Sequence, residues 1–166
     1  MRTGAPVLGG TFVYDGDDLV TPWHFHDLHE IEYAMWGAVE VETEWGRYLL
    51  PPQQAAWLPA GLSHRSTIRT AVRSISVLLH PALVAEPGDR ARILAVPPVI
   101  KEMMAFAVRW PITRVESDHL ADRYFEVFAQ LVADALDHEA PFILPTSKHP
   151  IVGAAMDFTR DHLEDV

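Results

Sequence analysis

From Val39 to Trp45 the chain alternates, with Val39, Val41, Thr43 and Trp45 on one parity and Glu40, Glu42 and Glu44 on the other. A period of two predicts a half-buried strand with an acidic outer face. Gly46 closes a turn into "RYLL", "PPQQ" breaks the chain again, and "AAWLP" runs into the turn "PAG". The segment "VRSISVLL" repeats the alternation, with Ile75, Val77 and Leu79 sharing a face. Many short strands separated by Gly and Pro turns predict a sandwich or barrel.

Beyond residue 97 the period changes. Pro97 and Pro98 precede "VIKEMMAFAVRW", a short helix stopped by Pro111. Ser117 or Asp118 is placed to cap the next helix, whose Leu120, Tyr124, Val127, Phe128, Leu131, Ala135 and Leu136 follow helical spacing on one face. That face either packs on the barrel or pairs with a second copy. Pro141 and Pro145 mark a loop, and a last helix starts near Pro150. The expected fold is mainly β with C-terminal helices. A barrel spans residues 1–96, a helical segment 97–145, and a linker with the start of a further helix 146–166.

Composition narrows the class. With 166 residues, 49% hydrophobic and 22% charged, the chain suits one ordered domain with a sizeable core. It has no cysteine, which excludes disulfides and thiolate metal sites. No apolar run approaches a membrane span or a signal peptide, so a cytoplasmic protein with no membrane partner is expected. A formal charge of −10, spread over both halves, disfavours nucleic-acid binding by these residues.

Three of the nine histidines crowd into "PWHFHDLHEIEYAMWG". Such groups are costly to bury unpaired, so the stretch is either a polar surface loop or a convergence on a ligand or metal. His24 and His26 share a strand face, and Glu30 keeps their parity. His29 has the opposite parity and, like Asp27, is expected at an exposed turn or strand position. Glu32 shares the parity but lies farther along. In "PAGLSH" a Pro-x-Gly turn delivers His64 onto a strand. Three neutral imidazoles and a carboxylate suit a divalent transition ion such as Zn, Ni, Mn, Fe or Co. His80, His119, His138, His149 and His162 are expected at the surface or as caps. Trp23, Phe25, Tyr33, Trp36, Trp45 and Trp57 are expected to be mostly core, with some lining a pocket.

The pattern His-x-His, three residues, Glu, six residues, Gly resembles the first motif of the cupin superfamily, and Pro59-x-Gly61-x-x-His64 resembles the second. Ile68 stands where the family's final Asn is customary, and Gly46 matches the leading Gly only loosely. The resemblance implies a jelly-roll (double-stranded β-helix) barrel with His24, His26, Glu30 and His64 at one mouth as metal ligands. Where members of this fold have lost the metal, such histidines form a polar wall for an organic ligand.

The barrel-then-helices order, with "HPIVGAAMDFTRDHLEDV" at the end, resembles the effector-binding half of AraC-type bacterial transcription regulators. That implies a small-molecule effector, a homodimer, and DNA contact only through a C-terminal part outside this chain. The alternative is a stand-alone metal-dependent cupin enzyme of dioxygenase or isomerase type, although no further Glu, Asp or Tyr stands out as a catalytic base. The segment before Pro22 is expected to fold over the barrel mouth with Phe12 or Tyr14 touching it, or else to form a fixed edge strand.

Overall fold

A computed structural model describes residues 7–115, 118–138 and 150–161. Nine strands form two antiparallel sheets: β1 (Gly9–Gly16), β2 (Leu19–Val20), β3 (His29–Trp36), β4 (Val39–Thr43), β5 (Gly46–Leu50), β6 (Gln54–Leu58), β7 (His64–Ile68), β8 (Val72–Leu79) and β9 (Arg92–Ala95). One sheet runs β1-β8-β3-β6-β9 and the other β2-β7-β4-β5. They face each other as a jelly-roll barrel of the cupin type. Helices α1 (Pro98–Ala107), α2 (His119–Leu136) and α3 (Pro150–Asp161) follow. Among the described residues no helix is long and apolar enough to cross a membrane.

The five-stranded sheet is buried on both faces. Ile31, Tyr33, Ile75, Val77 and Leu79 pack outward against α1 and α2. The alternate positions look into the barrel, where Val39, Val41 and Leu50 of the opposite sheet close the apolar end with Ala56 and Leu58. The apolar parity of β8 therefore faces the helices, and its polar parity faces the barrel interior.

Two glycines permit the turns. Gly61 has φ +83°, in the left-handed region that disfavours side chains, and Leu62 N–H bonds Pro59 O across that turn at 3.1 Å. Gly37, between β3 and β4, has φ +77°, and a Cβ there would meet the Ala71 carbonyl oxygen at 2.4 Å. This is the physical basis of the glycine that ends the first motif.

Several expectations need correction. His29 is not exposed: it is 3% accessible, because its face of the sheet lies under other parts of the chain. Its Nδ1 accepts the Ala60 N–H at 2.9 Å, and its ring lies 4.9 Å from Trp57. Asp27 is exposed. Of the six aromatic residues expected in the core, Tyr33 and Trp57 are buried, whereas Trp23, Phe25, Trp36 and Trp45 are exposed. Trp23 and Phe25 alternate with His24 and His26, which take the inward positions. Trp45 sits in the β4–β5 turn, past the end of the alternation. Within the segment before Pro22, residues 9–16 form an edge strand, β1, paired along its whole length with β8, which is the second of the two arrangements expected for it.

On α2 the buried face is Ala121, Phe125, Phe128, Ala129, Val132 and Leu136, while Leu120 and Val127 are exposed. The helix carries two adjoining apolar stripes, and the stripe with the small alanines seats against the sheet. Asp118 is the cap, accepting from Leu120 and Ala121 N–H and from Trp110 Nε1. Ser117, the loop at Pro141 and Pro145, the linker up to 149, His149 and His162 lie outside the described residues. His80 caps a single 3-10 turn, Pro81–Leu83, and His119 and His138 are exposed.

The acidic face of β4 is partnered rather than free. Glu42 bonds Arg65 Nη2 at 2.6 Å and Arg47 Nε at 3.2 Å, and Arg47 Nη1 lies 3.6 Å from Asp157 on α3. Burial would raise the Glu42 pKa, but the two guanidinium groups outweigh it and leave it lowered.

Two predictions follow from these contacts. Phe125→Ala should cost about 3–5 kcal/mol in urea unfolding, whereas Leu120→Ala on the same helix should change stability by no more than about 0.5 kcal/mol. Glu42→Gln should cost up to about 1 kcal/mol at pH 7. Because the folded pKa is depressed, that contribution is present above the unfolded value near 4.5 and is lost as pH falls through the folded value. Variant and parent should therefore converge in melts as pH falls below that folded value.

Candidate functional site

The strand edges and one turn assemble the site. His24 and His64 face each other across an antiparallel bridge, with N–H···O bonds of 3.0 and 2.9 Å in the two directions. The Gly61 N–H donates to the His26 carbonyl at 2.8 Å, which ties the second motif's turn to the first motif's loop. Glu30 enters from β3 on the opposite sheet. All four residues expected from the sequence therefore meet at one end of the barrel interior.

Each imidazole is oriented by its own backbone. Nδ1 of His24 bonds Pro22 O at 2.8 Å, Nδ1 of His26 bonds Leu28 O at 2.8 Å, and Nδ1 of His64 bonds Leu62 O at 2.9 Å. A carbonyl only accepts, so each Nδ1 carries the hydrogen and each Nε2 is left for the cavity. One ring nitrogen from each of the three lies within 4.8 Å of the others. Rings fixed in this way by backbone carbonyls are the usual support of metal-ligating histidines.

Glu30 Oε2 lies 2.8 Å from His26 Nε2 and 3.3 Å from His64 Nε2. Burial alone would raise the Glu30 pKa, but hydrogen bonds and charge from the two rings hold it well below the usual carboxylate range. Desolvation opposes a charged His26 as well, yet the bond and charge of Glu30 leave that pKa raised. Carboxylate and ring nitrogen at this distance need a cation between them. A proton on His26 serves here, and a divalent ion would serve the same donors.

Glu32 is a site residue that sequence reasoning left aside. It is buried two positions along the same face and accepts the Ser76 hydroxyl at 2.7 Å. Burial, and then the charge of Glu30, push its pKa up to about 8, which keeps it protonated at neutral pH. The signal was its shared parity with Glu30. What set it aside was its position farther along the strand. Ser66, Ser74 and Ser76 were also overlooked, although each sits on the inward parity of β7 or β8.

These groups line a cavity of about 200 Å³ between the two sheets. Phe12 and Tyr14 of β1 close one side, and Leu19, Ile68 and Leu78 supply apolar wall. The site can hold a small polar molecule, and its donor set suits a transition ion.

Comparison with known proteins identifies the family and the fold. A family model, the AraC-like ligand binding domain, matches residues 10–146. The HTH-type transcriptional regulator NimR of Escherichia coli K12 is 26% identical over 137 residues, covering 81% of this chain and 48% of its own length. The chain thus spans about half of that relative. Among solved structures, apo ToxT K231A of Vibrio cholerae strain SCE256 superposes with a TM-score of 0.61 at 10% identity, over 96% of this chain and 66% of that one. ToxT of the same strain with an unsaturated fatty acid bound gives 0.56 at 10% identity, over 100% and 66%. The AraC-like transcriptional activator CuxR gives 0.54 at 13% identity, over 84% and 52%. At these identities the superpositions speak for the fold alone. The family match, spanning barrel and helices together, makes this chain a member of the AraC-like ligand-binding domain family.

Proposed function

We propose that this chain is the effector-sensing part of a cytoplasmic transcription regulator, and that a small molecule binds in the cavity between the two sheets. The observation that carries the reading is the partly enclosed cavity, polar at its histidine end and apolar over much of its wall, built on three backbone-oriented histidines within a domain of this family. Contact with DNA would belong to a segment outside these residues, since a net charge of −10 disfavours phosphate binding by these residues themselves. Effector binding reaches such a segment only if its two conformational states bind the effector differently.

A divalent transition ion (Zn, Ni, Mn, Fe or Co) would be held by His24, His26, Glu30 and His64. It would supply a Lewis-acidic point for an oxygen-bearing effector. The donor chemistry and the Nδ1 bonds support this assignment. Ligation requires neutral imidazoles, and Glu30, against the effect of burial, holds the His26 pKa above 6.5, so affinity should weaken as pH falls through that raised value. His24→Ala with His26→Ala should abolish stoichiometric zinc binding in calorimetry while the circular dichroism spectrum stays that of the parent. Retained zinc in the double variant would mean that the ligands are elsewhere.

Self-association is the second part of the reading. α2 exposes Leu120 and Val127, and α1 exposes Val99 and Phe106. The Phe106 and Tyr124 rings, 5.9 Å apart, join the two helices into one apolar surface. A homodimer would cover it. Val127→Glu lies outside the core, so it should give a folded monomer in sedimentation. An unchanged dimer would place the interface elsewhere, and a monomeric parent would remove the dimer from the reading.

A further inference from the structure

The cavity is layered, and the order of its layers specifies an occupant. Along β7, His64, Ser66 and Ile68 line it in succession, each two residues and so roughly 6–7 Å beyond the last. The β2 side runs in parallel: His24 is bridged to His64, Thr21 N–H bonds Ser66 O, and Leu19 pairs with Ile68. On these two strands the first layer therefore holds imidazoles, the second hydroxyls and the third aliphatic side chains, whereas the facing sheet puts Leu78 in the first layer and Ser74 and Tyr14 in the third. On the facing sheet the second layer is Glu32, paired with Ser76, and Ser76 with Phe12.

The hydroxyls of the second layer are available. Thr21 Oγ1 accepts the Ser66 N–H at 2.8 Å, which leaves its own proton for an occupant. The Ser66 hydroxyl makes no hydrogen bond among the described residues. Ser76, by contrast, is already committed to Glu32.

Charge narrows the choice. A divalent ion on three neutral imidazoles and the Glu30 carboxylate keeps one net positive charge, enough for one anionic group. No Lys or Arg lines the cavity, and Glu32 presents carboxyl oxygens to the second layer. A second anionic group would find no counter-charge there. The cavity of about 200 Å³ ends in a single aliphatic layer at Leu19 and Ile68, which suits a short tail better than a long acyl chain.

We infer that the effector is a small 2-hydroxy or 2-oxo monocarboxylate. Its carboxylate and adjacent oxygen sit at the histidine layer, Thr21 and Ser66 donate to its oxygens, and a short aliphatic tail rests on Leu19 and Ile68. The inference rests on the sensor and metal reading above and names the ligand class for the same site.

The test uses the full 166-residue chain loaded with cobalt(II), whose visible absorption reports a change in its ligands. The probes are 2-hydroxybutyrate, 2-oxobutyrate, malate and hexadecenoate, followed by absorption, calorimetry and thermal unfolding. One or both monocarboxylates should change the cobalt band and raise the melting temperature, while malate and hexadecenoate do neither. Ser66→Ala and Thr21→Val should each weaken the responding monocarboxylate about 5- to 10-fold with cobalt affinity unchanged. Leu19→Ala, at a sheet edge, should shift preference toward 2-hydroxyhexanoate. Failure to bind cobalt would overturn the metal reading and this inference together. Cobalt binding with no response to either monocarboxylate, or with tighter binding of malate or hexadecenoate, would overturn this inference and leave the metal reading standing. So would unchanged affinity in both the Ser66 and Thr21 variants.

Discussion

The pairing of β3 with β8 places two incompatible environments on either side of a single layer of backbone. Their outward parity carries Ile31, Tyr33, Ile75, Val77 and Leu79 into the helical core. Their inward parity carries Glu30, Glu32, Ser74 and Ser76 into the cavity. A slip of one residue in that register would put carboxyls under the helices and aliphatic side chains in the polar site. The helices thus do more than cover the sheet. By rewarding one register with close-packed burial, they fix the depth at which every cavity residue sits.

The chemistry of the site follows from the same register. Glu30 and Glu32 are next neighbours on one face, with nothing but buried surroundings to share. They settle into different states, one ionised against His26 and His64 and the other protonated beside Ser76. Opposite assignments for two adjacent carboxyls are what burial and a local cation together produce. The ring orientations are equally local: each Nδ1 is tied to a carbonyl two residues away in sequence. The three nitrogens converge because short loops, rather than long-range packing, aim them.

That locality explains how much was legible in the sequence. Whereas Glu30 reaches the histidines not by shared strand parity but from the opposite sheet, past a bend at Asp27 and Leu28, His24 and His26 could be paired by alternation and His64 placed by a Pro-x-Gly turn, because both are properties of short segments. The strand-rich first half and the helices after Pro98 could be read for the same reason. His29 could not, since parity tells which residues share a face and not whether that face meets water. The sheet is covered on both sides, so an outward residue is buried as deeply as an inward one. The buried stripe of α2 was ambiguous for a related reason: Leu120 and Phe125 are both apolar, and only the shape of the sheet selects Phe125.

The cavity also has a weak side. It lies where β1 and β2, the outermost strands of their sheets, face each other, and β2 is only two residues long. Phe12, on that side, is 57% exposed. Edge strands with few partners open locally at far less free energy than the packed centre of a domain. The wall with the fewest partners is therefore the two-residue β2, while the depth and chemistry of the pocket are set by β3, β8 and the helices packed behind them. The boundary of the cavity and the character of its lining are governed by different residues.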